Sequence, residues 1–242
     1  MKIGLAQTRP VKGDISANLK KHQLCIKQGI QHGLDAIFFS ELSITGYEPA
    51  LAKGLVIAPG DRRFEEIQNL ADKHEMIVGY GAPISNGKEV GIAMIIHQAR
   101  KKSSAYMKEY LHEDEFPFFI GGKNEVQTVG SDPKIGLAIC YELTVAKHRQ
   151  TSLESGADIY LASVAKTESG AERSGGILSN MAKENNIITM MVNAVGSCDN
   201  FVCGGMSAAW DQEGRLIGQL GEDQEELLVI DTETLQASII QP

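Results

Sequence analysis

The segment Ile135-Gly-Leu-Ala-Ile139-Cys140-Tyr141-Glu142-Leu143 joins an apolar run directly to a cysteine and a polar turn. The run Ile135–Ile139 predicts a buried strand that ends at Cys140. A strand that breaks into a sharp turn presents its last side chain at the carboxyl edge of the sheet and leaves the next backbone N–H free to bind an oxyanion. Cys140 is therefore a candidate nucleophile, although a cysteine that closes an apolar strand is more often part of the core.

Two other predicted strands end on side chains that complement a thiol. An apolar run that starts at Ala36 ends at Ser40 and is followed by Glu41, and the run Ser104–Met107 is followed by Lys108. Cleavage of an amide through a thioester needs a base for the thiol proton, a cation beside the developing oxyanion, and a nucleophile. Each strand end is weak evidence alone, but the three together predict a hydrolytic site at one sheet edge.

Helical and strand patterns alternate along the rest of the chain. Predicted helices start at the N-cap Asp14 and close near Gly33, start at Asp61, follow Cys140, and run from about Gly176 to Asn185. Further strands are predicted over residues 76–81, 91–96, 159–162 and 187–193, with a hairpin turn at Asn86-Gly87 and a terminal β-meander that turns at Gly214. This order predicts an α/β fold with mixed sheets, since hairpins interrupt the crossover connections.

The three strand ends resemble the active site of the nitrilase, or carbon–nitrogen hydrolase, superfamily, which uses a Glu-Lys-Cys triad. The resemblance matches Glu41 in SELSITGYEP to the general base, Lys108 in MKEYLHEDEF to the lysine and Cys140 in GLAICYEL to the nucleophile. It extends over nearly the whole chain and implies a four-layer αββα sandwich of two mixed sheets.

A second glutamate follows the lysine in that family, and three glutamates are candidates here. They are Glu109, Glu113 and Glu115. Glu115 matches best because Phe119 and Gly122 then fall where the family has an aromatic residue and a glycine. The resemblance thus implies that Glu115 holds the lysine in position.

The resemblance also implies an activity: hydrolysis of a non-peptide carbon–nitrogen bond in a small amide-type substrate, through a cysteine thioester, with release of ammonia or an amine. Three alternatives remain open on the same residues: an acyltransferase, a nitrile-hydrolysing enzyme, and a non-catalytic relative that binds a metabolite. Members of the family often add a carboxyl-terminal tail that packs across a partner subunit, and the resemblance implies a homodimer or larger homo-oligomer.

Candidate substrate-binding residues are fewer and less specific. Arg173, in a predicted polar loop that starts at Thr167, can pair in bidentate fashion with a substrate carboxylate, although an arginine in such a loop is more often only solvated. Tyr47, Tyr141 and Trp210 are candidates to line the pocket, and ordinary core packing explains each of them equally well.

Composition limits the class of protein. The chain has 242 residues, a length at which an α/β architecture forms one domain, and we interpret 1–242 as a single domain. Its 31 acidic and 23 basic residues give a net charge of −8, which argues against nucleic acid or an anionic membrane as partner. No apolar stretch reaches the ~20 residues of a membrane helix, and the amino terminus is typical of a first strand and not of a signal peptide. We therefore expect a cytoplasmic protein.

Four cysteines, at positions 25, 140, 198 and 203, have no spacing typical of a disulfide framework and predict free thiols. Cys198 and Cys203 are close enough in sequence to suggest a metal or redox pair. No second pair of cysteines or histidines completes a zinc-like ligand set, so we expect no metal and no other cofactor.

Overall fold

The computed structural model describes residues 1–124 and 128–241, apart from the side chain of Asn86. The helices are α1 (Ile15–Gln31), α2 (Pro49–Ala52), α3 (Glu65–His74), α4 (Ala146–Glu154) and α5 (Glu168–Asn185), with short 3-10 helices at Arg62–Phe64, Glu113–Glu115 and Cys140–Thr144. The strands are β1 (Lys2–Gln7), β2 (Ala36–Phe39), β3 (Ile77–Asn86), β4 (Glu89–Gln98), β5 (Ser104–Met107), β6 (Thr128–Val129), β7 (Ile135–Ile139), β8 (Ile159–Ser163), β9 (Ile188–Val192), β10 (Val195–Cys198), β11 (Phe201–Gly204), β12 (Ala208–Trp210), β13 (Leu216–Gln219), β14 (Glu226–Asp231) and β15 (Gln236–Ile240).

Most of the strands form two mixed sheets. The first sheet has the order β15-β14-β1-β2-β3-β4-β5, and the second has the order β13-β12-β9-β8-β7-β6. Strands β1, β2 and β3 are parallel in the first sheet, as are β7, β8 and β9 in the second, and antiparallel strands flank both groups. Strands β10 and β11 form a separate hairpin.

The sheets pack face to face and the helices cover their outer faces. Leu5 of β1 and Leu137 of β7 belong to one buried cluster between the sheets. Ile26 of α1 and Ile67 of α3 pack on the outer face of the first sheet, and Leu178 of α5 packs on the outer face of the second. The predicted αββα sandwich is therefore confirmed, and its central strands have near-continuous apolar sequences because both of their faces are buried.

Helix α5 begins earlier than the sequence pattern predicts. The predicted start near Gly176 is wrong, because the helix already begins at Glu168. Thr167 is its N-cap, with a side-chain oxygen that accepts a hydrogen bond from the N–H of Gly170 at 3.2 Å. Arg173 consequently lies within the helix and not in a loop.

The carboxyl-terminal meander is also corrected. The turn at Gly214 joins β12 to β13 in the second sheet, as a hairpin. The next hairpin, β14–β15, belongs to the first sheet, where β14 pairs antiparallel with β1. Sequence alternation identifies strands and tight turns, but it does not tell which sheet supplies a strand's other neighbour.

Candidate active site

The strand ends identified in the sequence meet at one edge of the sandwich. Glu41 follows β2 and Lys108 follows β5 in the first sheet, while Cys140 follows β7 in the second. Two hydrogen bonds join the sheets at this edge. The N–H of Glu41 donates to the carbonyl of Val164 at 3.4 Å, and the hydroxyl of Ser163 donates to the carbonyl of Phe39 at 2.9 Å. These bonds fix the end of β2 beside the end of β8, the neighbour of β7.

Lys108 lies between two buried carboxylates. Its Nζ is 2.8 Å from Oε1 of Glu41 and 2.6 Å from Oε1 of Glu115. The hydroxyl of Tyr47 donates to the same oxygen of Glu115 at 2.9 Å, and the N–H of His112 donates to its other oxygen at 2.8 Å. We call Glu41, Lys108, Glu115 and Tyr47 the lysine cluster. Burial opposes the charge of Lys108, but Glu41, the Cys140 thiolate and Glu115 together raise the pKa of its ammonium above the ordinary value.

Among the three glutamates that follow Lys108, Glu115 is the one that contacts its ammonium. The spacing of Phe119 and Gly122 after Glu115, which favours Glu115 in the sequence, corresponds to two backbone hydrogen bonds in the structure. The N–H of Phe119 donates to the carbonyl of Glu115 at 2.9 Å, and the N–H of Gly122 donates to the carbonyl of Lys108 at 2.8 Å. Gly122 is required there, because an added Cβ would lie 2.5 Å from Cγ of Met107.

Cys140 occupies a strained turn. Its φ of +46° lies in the left-handed region, which costs energy for a residue with a side chain and is typical of nucleophiles held on a sharp strand-to-helix turn. The thiol is partly buried. The next N–H, that of Tyr141, belongs to the first turn of a 3-10 helix, where backbone donors have no acceptor within the helix. A donor is therefore available beside the sulfur.

The electrostatics of the site favour a protonated thiol in the free protein. Burial, followed by the charge of Glu41, raises the pKa of Cys140 to about 11, although Lys166 and Lys108 oppose this rise. Burial also raises the pKa of Glu41, against the effect of Lys108, and the carboxylate interacts with the Cys140 thiol. Oε2 of Glu41 is buried and accepts no hydrogen bond from the residues that the structure describes. That oxygen is free to accept a proton.

A glycine beneath the Glu41 turn fixes its position. An added Cβ on Gly81 of β3 would lie 2.1 Å from the nitrogen of Leu42 and 2.6 Å from the carbonyl oxygen of Ser40. The carbonyl of Gly81 in turn accepts a hydrogen bond from the N–H of Ile44 at 3.1 Å. This close approach of two backbones explains a glycine inside an otherwise apolar strand.

Glu142 is a buried residue to which the sequence reasoning assigned no role. Its Oε1 accepts from the N–H of Glu109 at 2.6 Å, and its Oε2 accepts from the N–H of Ile139 at 2.7 Å and the hydroxyl of Tyr106 at 2.9 Å. These bonds join the backbone N–H after Lys108 and the side chain of Tyr106 to the backbone before Cys140. Burial raises the pKa of Glu142 to about 7, while the three hydrogen bonds oppose that rise.

The partners of Glu142 continue as a buried chain. Nε2 of His148 is 2.7 Å from the hydroxyl of Tyr106, and its Nδ1 is 3.0 Å from the hydroxyl of Tyr160. When Glu142 is ionised, each group has one role: Tyr160 donates to Nδ1, Nε2–H donates to Tyr106, and Tyr106 donates to Glu142. Burial lowers the pKa of His148 to about 4, in agreement with a neutral ring. We call Glu142, Tyr106, His148 and Tyr160 the Glu142 cluster.

A cavity of about 240 Å³ lies beside Cys140. Cys140 and Glu115 line it, as do three of the four candidate substrate-binding residues, Tyr47, Tyr141 and Arg173. Lys166, for which the sequence predicts no role, also lines the cavity. Larger depressions of about 700 and 870 Å³ lie elsewhere on the surface, and neither is lined by a cysteine.

The assignment of Trp210, the fourth candidate, to the cavity is wrong. It is buried in β12 and belongs to the apolar cluster between the second sheet and α5. An added Cβ on Gly175 of α5 would lie 3.1 Å from its Cζ2. Trp210 therefore fills the interface between helix and sheet and does not line the cavity.

The other cysteines are buried free thiols. Cys198 and Cys203 face each other across the β10–β11 hairpin with their sulfurs 2.7 Å apart. Residues 1–124 and 128–241 contain no group of three or more histidine, cysteine or carboxylate side chains arranged to hold a metal ion. None of the helices within these residues has the length and apolar character of a membrane span.

The chain is similar in sequence to several known proteins. A model of the carbon–nitrogen hydrolase family matches residues 2–238. A glutamine-dependent NAD(+) synthetase of Synechocystis sp. is 25% identical over 256 residues, a match that covers 94% of this chain and 45% of the synthetase. The chain thus spans less than half the length of the NAD(+) synthetases that it matches. An (R)-stereoselective amidase of Pseudomonas sp. is 23% identical over 242 residues, 98% of this chain and 88% of the amidase.

Solved structures share the fold. The NitN amidase of Nesterenkonia sp. AN1 has a TM-score of 0.85 and 22% identity, over 96% of this chain and 92% of that one. A variant of that amidase is described with covalent addition of the acetamide moiety of fluoroacetamide at its active-site cysteine.

Proposed function

Because the chain belongs to the carbon–nitrogen hydrolase family, we propose that it cleaves the carbon–nitrogen bond of a small amide through a thioester on Cys140. The observation that carries this proposal is the free Oε2 of Glu41, a buried acceptor of the same carboxylate that binds Lys108, whose charge acts on the Cys140 thiol. A buried acceptor without a partner costs about 1–3 kcal/mol and suits a group that must take up a proton during a reaction.

The first half of the reaction forms the thioester. Sγ of Cys140 attacks the amide carbon as Glu41 takes the thiol proton, so a thiol with a raised pKa never has to ionise in advance. The ammonium of Lys108 and the N–H of Tyr141 stabilise the tetrahedral oxyanion. When the intermediate collapses, the carbon–nitrogen bond breaks, Glu41 returns the proton to the leaving nitrogen, and ammonia or an amine departs.

The second half releases the acyl group. Glu41 removes a proton from water as the water oxygen attacks the thioester, and the same oxyanion donors stabilise the second tetrahedral intermediate. Collapse breaks the carbon–sulfur bond, yields a carboxylic acid and returns the proton to the Cys140 sulfur. Glu115 contributes by holding Lys108, since it shares the ammonium with Glu41 and is itself held by Tyr47.

The identity of the amide is a separate proposal. Several of the matched relatives are named as glutamine-dependent, and the side chain of glutamine is a primary amide, which makes it one candidate substrate. Tyr47 and Tyr141 are candidates to contact the substrate because they line the cavity. An acyltransferase would use the same thioester and deliver it to an amine or alcohol, and a nitrile-hydrolysing enzyme would start from a different electrophile.

A covalent-adduct experiment tests the proposal. The protein is incubated with a panel of small amides, ureas and nitriles, ammonia is measured, and an acid-quenched sample is analysed by mass spectrometry. We expect a protein heavier by the acyl group, with the modification on Cys140, and a hydroxamate when hydroxylamine is added. Cys140→Ala should abolish turnover and the adduct, whereas Cys25→Ala is the matched control, because Cys25 is buried between α1 and the first sheet.

Different outcomes identify the alternatives. Hydrolysis with no adduct at any quench time and no hydroxamate would contradict covalent catalysis. An adduct that decays only when an amine acceptor is added would identify an acyltransferase.

A further inference from the structure

Lys166 is held at the cavity wall by its backbone. It follows the end of β8, where its N–H donates to Oδ1 of Asn193 at 3.0 Å. Nδ2 of Asn193 and the N–H of Gly204 both donate to its carbonyl, at 3.0 and 2.9 Å. Asn193 is fully buried. The segment that carries the Lys166 side chain is therefore fixed relative to the nucleophile, unlike that of an ordinary surface lysine.

The ammonium of Lys166 has no partner in the part of the chain that the structure describes. Within residues 1–124 and 128–241, no carboxylate lies within ion-pair distance of it, whereas Lys108 has two such neighbours. Lys166 is only partly exposed and lines the same cavity as Cys140, and its charge acts on the thiol. A partly buried cation without a counter-ion is costly, and a bound anion removes that cost.

The other charges around the cavity leave this position free. Glu115 is bound to Lys108, and Asp114 contacts Nδ1 of His112 at 2.6 Å. Arg173 also lines the cavity and is more exposed than Lys166, and among the described residues it also has no carboxylate partner. The cavity is thus lined by two cations without a carboxylate partner among the described residues, while Glu115 and Asp114, the carboxylates that line it, are already paired.

We propose that Lys166 is a specificity-determining residue that selects small amides carrying an anionic group, such as a carboxylate, with Arg173 assisting at the mouth of the cavity. The proposal rests on the amide hydrolysis proposed above and names the class of its substrate. The cavity, at about 240 Å³, is smaller than the ~300 Å³ and more that drug-sized ligands occupy, so the substrate is small. The alternative role is purely electrostatic: Lys166 would favour the Cys140 thiolate and contact no substrate.

A pair of alkylating reagents separates these roles without any turnover. Iodoacetate and iodoacetamide differ in charge and react with the same thiolate, so a change in the thiol pKa cancels in the ratio of their rates. The rate ratio at Cys140, iodoacetate over iodoacetamide, is measured by peptide mass spectrometry and divided by the ratio for N-acetylcysteine in the same buffer. Since a hydrogen bond to a charged group contributes ~1.5–3 kcal/mol, we expect a normalised ratio of at least ~10.

The variants then assign the effect. Lys166→Met should lower the normalised ratio at least ~5-fold, because it removes a charge-assisted hydrogen bond to the anionic reagent. Lys166→Arg should retain most of the ratio, because it keeps the positive charge. Lys147→Met is the matched control, because Lys147 is exposed on α4, outside the cavity. A wild-type ratio near 1, or equal slowing of both reagents by Lys166→Met, would overturn the proposal.

Substrate kinetics provide the second readout. Malonamate, succinamate and glutaramate are each compared with the neutral amide in which an isopropyl group replaces the carboxylate. We expect the preferred anionic amide to exceed its neutral counterpart at least ~10-fold in kcat/KM, and Lys166→Met to reduce this preference mainly through KM.

The two proposals fail in different ways. Turnover of both amides without charge preference, together with a normalised alkylation ratio near 1, would overturn the specificity of Lys166 and leave amide hydrolysis standing. A Lys166-dependent alkylation ratio with no turnover of any amide would support the anion site and contradict amide hydrolysis.

Discussion

The lysine cluster and the Glu142 cluster each contain a buried glutamate near Cys140, but they differ in how their oxygens are satisfied. Glu41 has one oxygen on Lys108 and one oxygen without a partner among the described residues. Glu142 has both oxygens occupied by backbone N–H groups and a tyrosine hydroxyl. A carboxylate whose acceptors are saturated fixes structure, whereas one that keeps a free acceptor beside a thiol is available for proton transfer.

The comparison also separates activity from stability. Ionised Glu41 adds charge to a buried site in which two carboxylates share one ammonium. Its replacement by a neutral residue should therefore lower the free energy of unfolding only slightly. Replacement of Glu142 leaves backbone donors without an acceptor, so it should lower the free energy of unfolding by more. Groups kept for chemistry are often not optimal for stability, and the two glutamates provide a direct test of that difference.

The largest effect is expected for the lysine cluster. Glu41→Gln and Lys108→Met should each lower kcat by at least ~10³, because each removes a group that acts in the transition state. The double variant should be scarcely worse than either single one, since groups that act as a unit are not additive. Single-turnover kinetics on variants with native circular dichroism spectra measures this. Fully additive losses would mean that the two residues do not serve one site.

A smaller loss is expected for Glu115. Glu115→Gln leaves Lys108 with one carboxylate in place of two and should lower kcat/KM by ~10- to 100-fold, the scale of a charge-assisted hydrogen bond. Glu113→Gln is the matched control, two residues away in the same 3-10 helix. If Glu113→Gln reduces activity and Glu115→Gln does not, the assignment of the supporting glutamate is wrong.

Substitutions of Glu142 and Glu41 should differ in their effect on stability. Glu142→Gln should lower the free energy of unfolding by ~1–3 kcal/mol, because the amide nitrogen of glutamine faces an N–H or hydroxyl donor that then has no acceptor. Glu41→Gln should change the same quantity by less than ~1 kcal/mol, because its Oε2 accepts no hydrogen bond that could be lost. Urea unfolding at pH 7 measures both. Equal losses for the two variants would remove the distinction drawn from their hydrogen bonds.

The sequence predicts the parts of the site that depend on local order. The ends of β2, β5 and β7 follow from short apolar runs, and a side chain that directly follows such a run must lie at the edge of its sheet. The ordered occurrence of Glu41, Lys108 and Cys140 then indicated one chemistry, and the structure brings these three residues together.

The remaining parts depend on contacts between distant segments. Glu142 resembles a solvated residue of a turn until Tyr106 and His148, from β5 and α4, surround it. Lys166 lies in a polar stretch, and its clamp comes from Asn193, 27 residues away in sequence. Trp210 was misassigned because an aromatic residue near the end of a strand has the same local pattern whether it faces a pocket or a helix.

The smallest expected effect is the pH dependence of wild-type stability that arises from the Glu142 cluster, because two of its groups have opposite pKa shifts. The pKa of His148 is lowered from 6.5 to about 4, so its contribution to stability is present above pH 6.5 and is lost as the pH falls through that window. The pKa of Glu142 is raised from 4.5 to about 7, so its contribution is present below pH 4.5 and is lost as the pH rises through 7.

The two contributions oppose each other between about pH 4.5 and 6.5 and should nearly cancel in the wild-type protein. Relative to wild type, His148→Gln should then be less destabilised at pH 5 than at pH 7, whereas Glu142→Gln should be more destabilised at pH 5. Each difference is limited to ~1.4 kcal/mol per pH unit. Urea midpoints at the two pH values measure these changes. Changes of the same sign in both variants would mean that the two groups do not titrate as a buried pair, because only opposite shifts produce opposite slopes.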